Sequence, residues 1–277
     1  MKIAIIGLGL IGGSLALEFK DIHEVYGIDT NLKHQKKALQ LGLVKKIISL
    51  EEVFKMDVVI IAVPVNIAPE LTKKVLGLIT DNALVFDVGS TKEQICNSVN
   101  NHAKRSNFIA THPIAGTEFS GPDAAIKNLF TKKVNIICEQ HLSDKKQILK
   151  LITLLQPLQM RIVYMDSAKK HDKHIAYVSH LSHISSFMLG KTVLEIEKEE
   201  ATIFNMAGSG FESTVRLAKS SPKTWTPIFI QNKKHIIKSL EEYINNLETF
   251  KKQLLQESDT DIYKTLQATN SIKQILK

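Results

Sequence analysis

The chain contains 277 residues, of which 44% are hydrophobic and 23% are charged. This length and composition indicate one large or two ordinary globular domains and exclude disordered, collagen-like and coiled-coil proteins. Lys and Arg number 36 against 28 Asp and Glu, and the resulting formal charge of +8 is spread evenly along the chain. Such a surplus could favour nucleic acid or anionic small molecules. Because the sequence has no basic tail or block, we predict no nucleic-acid partner.

The cysteine content and the hydropathy pattern predict a soluble, cytoplasmic protein. Two cysteines, Cys96 and Cys138, are too few for a disulfide framework or a Cys-rich zinc site. The apolar segment 3–17 contains Gly7, Gly9, Gly12 and Gly13, and no signal-peptide cleavage pattern follows it. No other segment approaches the roughly 18 apolar residues of a membrane helix, so no membrane partner is expected.

Up to residue 165, short apolar segments alternate with helical patterns, which is typical of a parallel sheet with helices on both faces. The predicted strands are residues 2–6, 24–28, 58–63, 83–88, 108–111, 135–138 and 161–164. The predicted helices are residues 12–19, 32–41, 68–78, 92–102 and 144–155. The segments 58–63 and 85–88 are apolar nearly throughout, as expected for strands buried on both faces.

After Asp166 the β-type segments disappear, and residues 167–196, 202–204, 212–219 and 225–277 have helical patterns. Apolar residues recur at three- and four-residue spacing over part of the last segment, as one face of a long helix requires. They are Ile236, Leu240, Tyr243, Ile244, Leu247, Phe250 and Leu254. We therefore predict an α/β domain at residues 1–165 and an all-α domain at residues 166–277.

A glycine-rich loop after the first strand predicts a dinucleotide site. Residues 7–13 have the spacing G-x-G-x-x-G between a predicted strand and a predicted helix. Gly7 permits a tight turn, Gly9 lets a pyrophosphate approach the backbone, and Gly12 lets the helix pack closely on the strand. The helix N-terminus, with Leu10 and Ile11, presents unpaired N–H groups to the phosphates.

The residue at the end of the second strand indicates which dinucleotide binds. Asp29 can accept hydrogen bonds from ribose hydroxyls and would repel a 2′-phosphate, and no Arg follows it, so NAD is predicted rather than NADP. A helix-capping role for Asp29 is the alternative. Val63 and Pro64 end the third long apolar strand, beside the crevice in which open α/β sheets bind ligands. A plain strand terminator is as good an explanation of Pro64.

Polar residues at the ends of later strands point to a reacting site. Ser90 follows the strand 83–88, and His112 follows the strand 108–111. A dehydrogenase needs a group to accept the proton of an alcohol, and histidine has a suitable pKa. We interpret His112 as that base, with Ser90 as a hydrogen-bond partner of the imidazole or of the substrate hydroxyl.

Four histidines cluster early in the helical domain: His171, His174, His180 and His183. At 3.6 residues per turn, the first two lie on one side of a helix and the last two largely on the other, so they cannot converge on one metal ion. We predict no metal site, with one histidine facing the crevice and the others solvated or capping. Arg216 is a candidate for binding a carboxylate, and a surface ion pair is the alternative.

Taken in order, these motifs resemble the prephenate/arogenate dehydrogenase family of tyrosine biosynthesis. The matching segments are 7–15, 87–92 (Asp-Val-Gly-Ser-Thr-Lys), 112–118 (His-Pro-Ile-Ala-Gly-Thr-Glu), 178–183 (Val-Ser-His-Leu-Ser-His) and 208–211 with Arg216 and Trp225. The resemblance covers nearly the whole chain. It implies a Rossmann-type dinucleotide-binding domain and an all-α dimerisation domain like the C-terminal domain of 6-phosphogluconate dehydrogenase. It also implies a homodimer with its sites between the two domains.

The resemblance also implies roles for individual residues. Ser90 and His112 would bind the substrate hydroxyl and accept its proton, and His183 and Arg216 would contact substrate carboxylates or the side chain. Thr117 and Glu118 would lie near the nicotinamide and the entrance. Two positions depart from the family pattern. Ser209 stands where a third glycine is frequent, and Ser213 stands where an acidic partner for the arginine can occur.

Three other functions stay open on the sequence. The first is arogenate dehydrogenase. Arogenate carries an amino group where prephenate has a keto oxygen, and no residue of the sequence distinguishes the two substrates. A 3-hydroxyacid or 6-phosphogluconate type dehydrogenase shares the two-domain plan, although such enzymes usually place a Lys base in the helical domain. A non-catalytic NAD-sensing protein would need the glycine-rich loop but not Ser90, His112 and Arg216 together.

Overall fold

A computed structural model describes residues 1–200 and 202–275. In this part of the chain, one sheet contains eight strands: β1 (Lys2–Ile6), β2 (Glu24–Ile28), β3 (Lys46–Ile47), β4 (Val58–Ile61), β5 (Leu84–Asp87), β6 (Phe108–Pro113), β7 (Val134–Cys138) and β8 (Arg161–Met165). Their order is β3-β2-β1-β4-β5-β6-β7-β8. The order of the first six is that of a doubly wound dinucleotide-binding fold, whose ligand crevice lies between β1 and β4.

Five helices cover the two faces of this sheet: α1 (Leu10–Phe19), α2 (Leu32–Gln40), α3 (Ala68–Leu78), α4 (Glu93–Val99) and α5 (Lys145–Leu155). Alternate residues of β1 enter two separate cores, with Ile3 in one and Ala4 in the other. The first core also contains Leu151 of α5, and the second contains Val75 of α3. This burial on both faces confirms the α/β class and explains the continuous apolar segments of the central strands.

The sheet differs from the sequence expectation in two places. β3, with Lys46 and Ile47, was not predicted because two residues are too short to show a strand pattern. β7 pairs antiparallel with β6, whereas every other pair is parallel. The segment between β6 and β7 contains only a short 3-10 turn, and an antiparallel pairing needs no helical crossover.

The second half is helical, as predicted: α6 (Ala168–Ile175), α7 (Leu181–Glu200), α8 (Ser209–Val215), α9 (Pro222–Gln231), α10 (Lys233–Leu255) and α11 (Asp259–Thr269). A π-helical turn, Ala176–His180, joins α6 to α7. The long pattern predicted from residue 225 onward is interrupted at Asn232 and at 256–258, and its last residues, 276 and 277, lie outside the described part. No helix of the described residues is long and apolar enough to cross a membrane.

The apolar stripe predicted on α10 is only partly covered within one chain. Ile236 is buried in the helical domain, whereas Ile244, Leu247 and Leu254 are 45%, 52% and 55% exposed. Large apolar side chains that stay half exposed along one long helix form a surface that a partner can cover. In the following, the dimer stripe means Ile244, Leu247 and Leu254.

Candidate active site

The glycine-rich loop has the geometry of a phosphate cradle. Gly7 has φ +95°, and a Cβ there would lie 2.5 Å from the backbone oxygen of Ala62. A Cβ on Gly12 would overlap the backbone oxygen of Gly7. Gly9 precedes α1, and no atom lies within 4 Å of a Cβ built on it. The helix N-terminus is therefore open to an anion at Gly9, while the other two positions require glycine for close packing.

Asp29 lies beside this loop at the end of β2. Its Oδ2 accepts a hydrogen bond from the Leu8 backbone N–H at 2.9 Å, and its Oδ1 accepts one from Asn31 at 2.8 Å. These bonds hold the carboxylate at the loop, and a carboxylate has further lone pairs for ribose hydroxyls. His34 approaches it at 3.4 Å. The Asp29 carboxylate and the open helix terminus together fit a dinucleotide.

The turn after β4 forms the other side of the crevice. β4 ends at Ile61, two residues before the predicted end, and Val63 and Pro64 follow in the turn. The Pro64 backbone oxygen accepts hydrogen bonds from Ile67 and Ala68, which leads the chain into α3. Leu10 and Ile11 occupy the first turn of α1, where Leu10 is buried and Ile11 is half buried.

His112 is a buried group at the end of β6, with 8% of its surface exposed. Its Nδ1 lies 2.9 Å from Nε2 of His171, and Nδ1 of His171 lies 2.8 Å from Oδ1 of Asp172. Burial, with a smaller contribution from the neighbouring His171, holds the pKa of His112 well below its usual value. The ring is therefore neutral at neutral pH, the state in which it can accept a proton.

The structure corrects the expectation for the histidine cluster. His174 is exposed and His183 is half buried, but His171 and His180 are both completely buried. An uninterrupted α-helix would place His171 and His180 on opposite sides, which is the sequence prediction. The π-helical turn between them adds less rotation per residue, so both turn inward. His180 stays neutral, because burial lowers its pKa to about 4.

A buried ion pair lies beneath His112. Lys92 is fully buried, and its Nζ donates to the Asp87 carboxylate and, at 2.7 Å, to the Thr111 backbone oxygen. Burial raises the pKa of Asp87. Ser90 lies in the loop between Asp87 and Lys92 of this ion pair and is half buried. Its side chain forms no hydrogen bond with the described residues. Its hydroxyl therefore has no partner that competes with a ligand.

The predicted substrate residues come together where the two domains meet. His183 stacks on Trp225 with ring centroids 3.5 Å apart, and its Nδ1 bonds the Ser179 backbone oxygen at 3.0 Å. Arg216 forms an ion pair with Glu118 at 3.8 Å, across 98 residues of sequence. The acidic residue that pairs with Arg216 is thus Glu118 of the first domain, whereas position 213 of the helical domain is a serine. Thr117 is exposed next to it.

The cleft beside this pair has a volume of about 590 Å³. Residues of both domains line it, among them Glu118 and Phe119 from the first and Lys219 and Ser221 from the second. The α/β domain thus supplies a dinucleotide cradle and a neutral buried histidine, and the helical domain supplies an arginine. This combination defines the class of two-domain, nucleotide-dependent dehydrogenases.

Within that class, the chain belongs to the prephenate dehydrogenase family. The family model of the nucleotide-binding domain matches residues 15–164, and that of the dimerization domain matches residues 167–268. Prephenate dehydrogenase of Bacillus subtilis is 30% identical over 269 residues, which are 95% of this chain and 72% of that protein. Prephenate dehydrogenase of Lactococcus lactis is 29% identical over 283 residues, covering 100% of this chain and 77% of the relative.

Solved structures of the family are similar over the whole chain. Prephenate dehydrogenase from Aquifex aeolicus, in complex with hydroxyphenyl propionate and NAD⁺, has a TM-score of 0.90 at 29% identity and covers 100% of this chain and 98% of its own. Synechocystis arogenate dehydrogenase has a TM-score of 0.80 at 26% identity, with both chains covered completely. The predicted family, fold and class of enzyme are thereby confirmed.

Sequence reasoning did not find the buried partners of the site. The sequence predicts a solvated or capping position for His171 and indicates no role for Asp172 or Lys92. The adjacent His-Asp pair at 171–172 was the one available signal. The sequence does not show that this pair contacts His112, because 59 residues separate His112 from His171 and the contact is visible only in the folded protein.

Proposed function

We propose that the chain is an NAD-dependent prephenate dehydrogenase, which converts prephenate to 4-hydroxyphenylpyruvate and CO₂ in tyrosine biosynthesis. The observation that carries the proposal is the position of His112. Its ring is buried and neutral, its Nδ1 is occupied by His171, and its Nε2 has no partner among the described residues. That nitrogen is the atom available to accept a proton from a bound hydroxyl.

The proposed reaction uses this nitrogen as its base. The substrate is a cyclohexadienol with a ring carboxylate on the carbon opposite its hydroxyl. Nε2 of His112 accepts the hydroxyl proton while a hydride leaves the same carbon. Bound NAD⁺ supplies the hydride acceptor at C4 of its nicotinamide. The ring carboxylate then leaves as CO₂, and its bonding electrons complete the aromatic ring and place a negative charge on the oxygen. Protonated His112 returns the proton to that oxygen, which gives the phenol of the product. Because aromatisation drives the loss of CO₂, the reaction needs no metal ion to polarise a carbonyl.

The remaining predicted residues have roles consistent with where they lie. Ser90, with an unengaged hydroxyl, binds the substrate hydroxyl. Arg216 and His183 bind carboxylate oxygens, while Glu118 and Thr117 stand at the entrance. The cofactor contacts are assigned to the cradle and its surroundings: Gly7, Gly9, Leu10, Ile11, Gly12, Asp29, Val63 and Pro64.

Arogenate is the second candidate substrate, favoured by the similarity to Synechocystis arogenate dehydrogenase. NADH formation, followed by absorbance with prephenate and arogenate in separate assays, decides between the two. We expect the higher kcat/KM with prephenate. A higher kcat/KM with arogenate reverses the assignment, and NAD⁺ binding without turnover of either substrate supports a sensor instead of an enzyme.

Replacing Asp29 with Ser is expected to narrow the preference for NAD⁺ over NADP⁺. The substitution removes a carboxylate that repels the 2′-phosphate and accepts bonds from ribose hydroxyls. The ratio of kcat/KM for the two cofactors measures the effect. Asp21→Ser is the matched control, because it removes an exposed carboxylate from the same domain at the far end of α1. A wild-type preference for NADP⁺ contradicts the proposal.

We also propose that the chain forms a homodimer through its helical domain. The family's dimerization domain matches this region, and the dimer stripe on α10 is half exposed in one chain. Sedimentation at micromolar concentration is expected to give twice the chain mass of 31.0 kDa. Leu247→Glu should shift the mass toward the monomer, because it places a charge in an apolar contact.

Asn245→Glu is the matched control for the dimer experiment. At 3.6 residues per turn, Asn245 lies on the side of α10 opposite Ile236, so the same new charge should leave the mass unchanged. A wild-type monomer at micromolar concentration, or equal dissociation by both variants, contradicts the proposed interface.

A further inference from the structure

We infer that His171 and Asp172 are positioning residues, which hold His112 as its Nδ1–H tautomer so that the lone pair of Nε2 is directed to the substrate hydroxyl. The inference rests on the proposed function for the identity of the proton donor. The tautomer itself is a property of the protein without substrate, so it can be tested separately.

The direction of the hydrogen bonds follows from Asp172. Its Oδ1 is 2.7 Å from the Lys92 backbone nitrogen, and its Oδ2 is 2.9 Å from that of Glu93. Backbone N–H groups can only donate, so both carboxylate oxygens are acceptors. The third contact, 2.8 Å from Oδ1 to Nδ1 of His171, therefore needs a proton on that ring nitrogen.

The second ring follows from the first. A neutral imidazole carries one N–H, so His171 with its proton on Nδ1 offers only a lone pair at Nε2. Burial lowers the pKa of His171 and of His112, so both rings are neutral at neutral pH. At 2.9 Å, the contact requires His112 to donate from Nδ1. Nε2 of His112 is then left without a proton, which is the state that a general base needs.

Neighbouring contacts make this arrangement rigid. Asp172 is buried and binds the first two N–H groups at the start of α4, which joins the helical domain to the α/β domain. Asn232 donates to the Asp172 backbone oxygen at 2.7 Å and also contacts Nδ1 of His180. A second link between the domains is Gln231, which donates to the Val65 backbone oxygen at 2.6 Å and contacts Thr91.

The other titratable groups near His112 are occupied elsewhere. Besides His171, the titratable groups near its ring are Lys92 and His180, and each lowers the pKa of His112. Lys92 is held by Asp87 and Thr111, and His180 is held by Asn232. His171 is thus the residue that contacts the ring of His112 and can orient it.

The arrangement also serves the transition state. When Nε2 of His112 takes the substrate proton, the ring becomes a cation whose Nδ1–H still donates to His171. The Asp172 carboxylate makes His171 a better acceptor for that bond, since hydrogen bonds in a chain polarise one another. Neither positioning residue touches the substrate, so both act through His112.

Three variants on α6 separate this role from a merely structural one. His171→Asn shortens the side chain, so its amide bonds Asp172 but does not reach His112. His171→Gln carries an amide oxygen near the position of the lost Nε2 and can still accept from His112. His174→Asn is the matched control, because His174 is exposed on the same helix. Circular dichroism and thermal unfolding of each variant establish that it is folded.

The tautomer is read by nitrogen-15 NMR of histidine-labelled protein without substrate, because a protonated and an unprotonated ring nitrogen differ in chemical shift. The His112 signals are assigned by their loss in His112→Asn. We expect the Nδ1–H form in the wild type, in His174→Asn and in His171→Gln. In His171→Asn we expect the two tautomers to be mixed or the Nε2–H form to dominate.

Kinetics give the second measurement. We expect His171→Asn to lower kcat by on the order of 10²-fold, the cost of misplacing a reacting group by about 1 Å, with little change in the KM for the substrate. His171→Gln should recover most of that loss. A wild-type Nε2–H tautomer, or equal losses in the Asn and Gln variants, overturns the inference. If the wild type turns over neither prephenate nor arogenate, the proposed function fails, whereas the NMR result still decides the tautomer.

Discussion

Replacement of His112 by Asn is expected to lower kcat by on the order of 10²–10⁴-fold while KM changes little. The base acts mainly as the transition state forms, so its loss affects the chemical step and not the binding of the ground state. Asn retains a polar side chain at the end of β6 but cannot accept a proton. Steady-state kinetics with prephenate and NAD⁺ measure the effect.

The pH profile gives a second signature of the same residue. His112 works in its neutral form, so kcat/KM should rise with pH through the pKa of His112 in the free enzyme and then become constant. Because burial holds this pKa well below its usual value, the rise should lie below about pH 6.5, the ordinary histidine pKa. His112→Asn should lose this limb. His141→Asn, at an exposed position, should keep it; a variant at 112 with near-normal kcat would falsify the role.

Replacement of Arg216 by Ala is expected to raise the KM for prephenate by roughly 10- to 150-fold, since a charged hydrogen bond contributes about 1.5–3 kcal/mol. In the structure the Arg216 side chain is 55% exposed, and its guanidinium contacts Glu118 through a 3.8 Å ion pair. Such a weakly paired arginine can turn to a substrate carboxylate. It would bind that carboxylate in ground and transition states alike, so kcat should change much less than KM.

Arg161→Ala is a suitable control for the loss of an arginine. It removes an exposed guanidinium from β8, the last strand of the sheet, far along the strand order from the cofactor crevice. We expect it to leave both constants unchanged. NAD⁺ affinity should survive Arg216→Ala, because that residue does not belong to the glycine-rich loop. A fall in kcat without a rise in KM, as at His112, contradicts the assigned role.

Local patterns were sufficient for most of the fold. The bounds of β1, β2 and α3 agree with the predicted segments 2–6, 24–28 and 68–78. Burial leaves a distinct local pattern in each of them: β1 is continuously apolar after its first residue, β2 alternates, and α3 buries residues at helical spacing. The glycine-rich loop was equally readable, because Gly7 and Gly12 are required by contacts within a single strand–turn–helix unit and the adjacent β4 turn.

Other features depend on how distant segments meet, and local sequence does not encode that. The short β3 and the antiparallel β7 exist through pairing with neighbours in the sheet. Likewise, periodicity placed His171 and His180 on opposite sides of a helix, and a π-helical turn brought both inward. The contact between His112 and His171 joins the two domains, as do the hydrogen bonds from the start of α4 to Asp172. The sequence alone identified His112 and Arg216 as candidate functional residues. Their contacts with His171 and Glu118 were decided by the packing of the two domains, because these partners lie too far apart in the sequence for a local pattern to connect them.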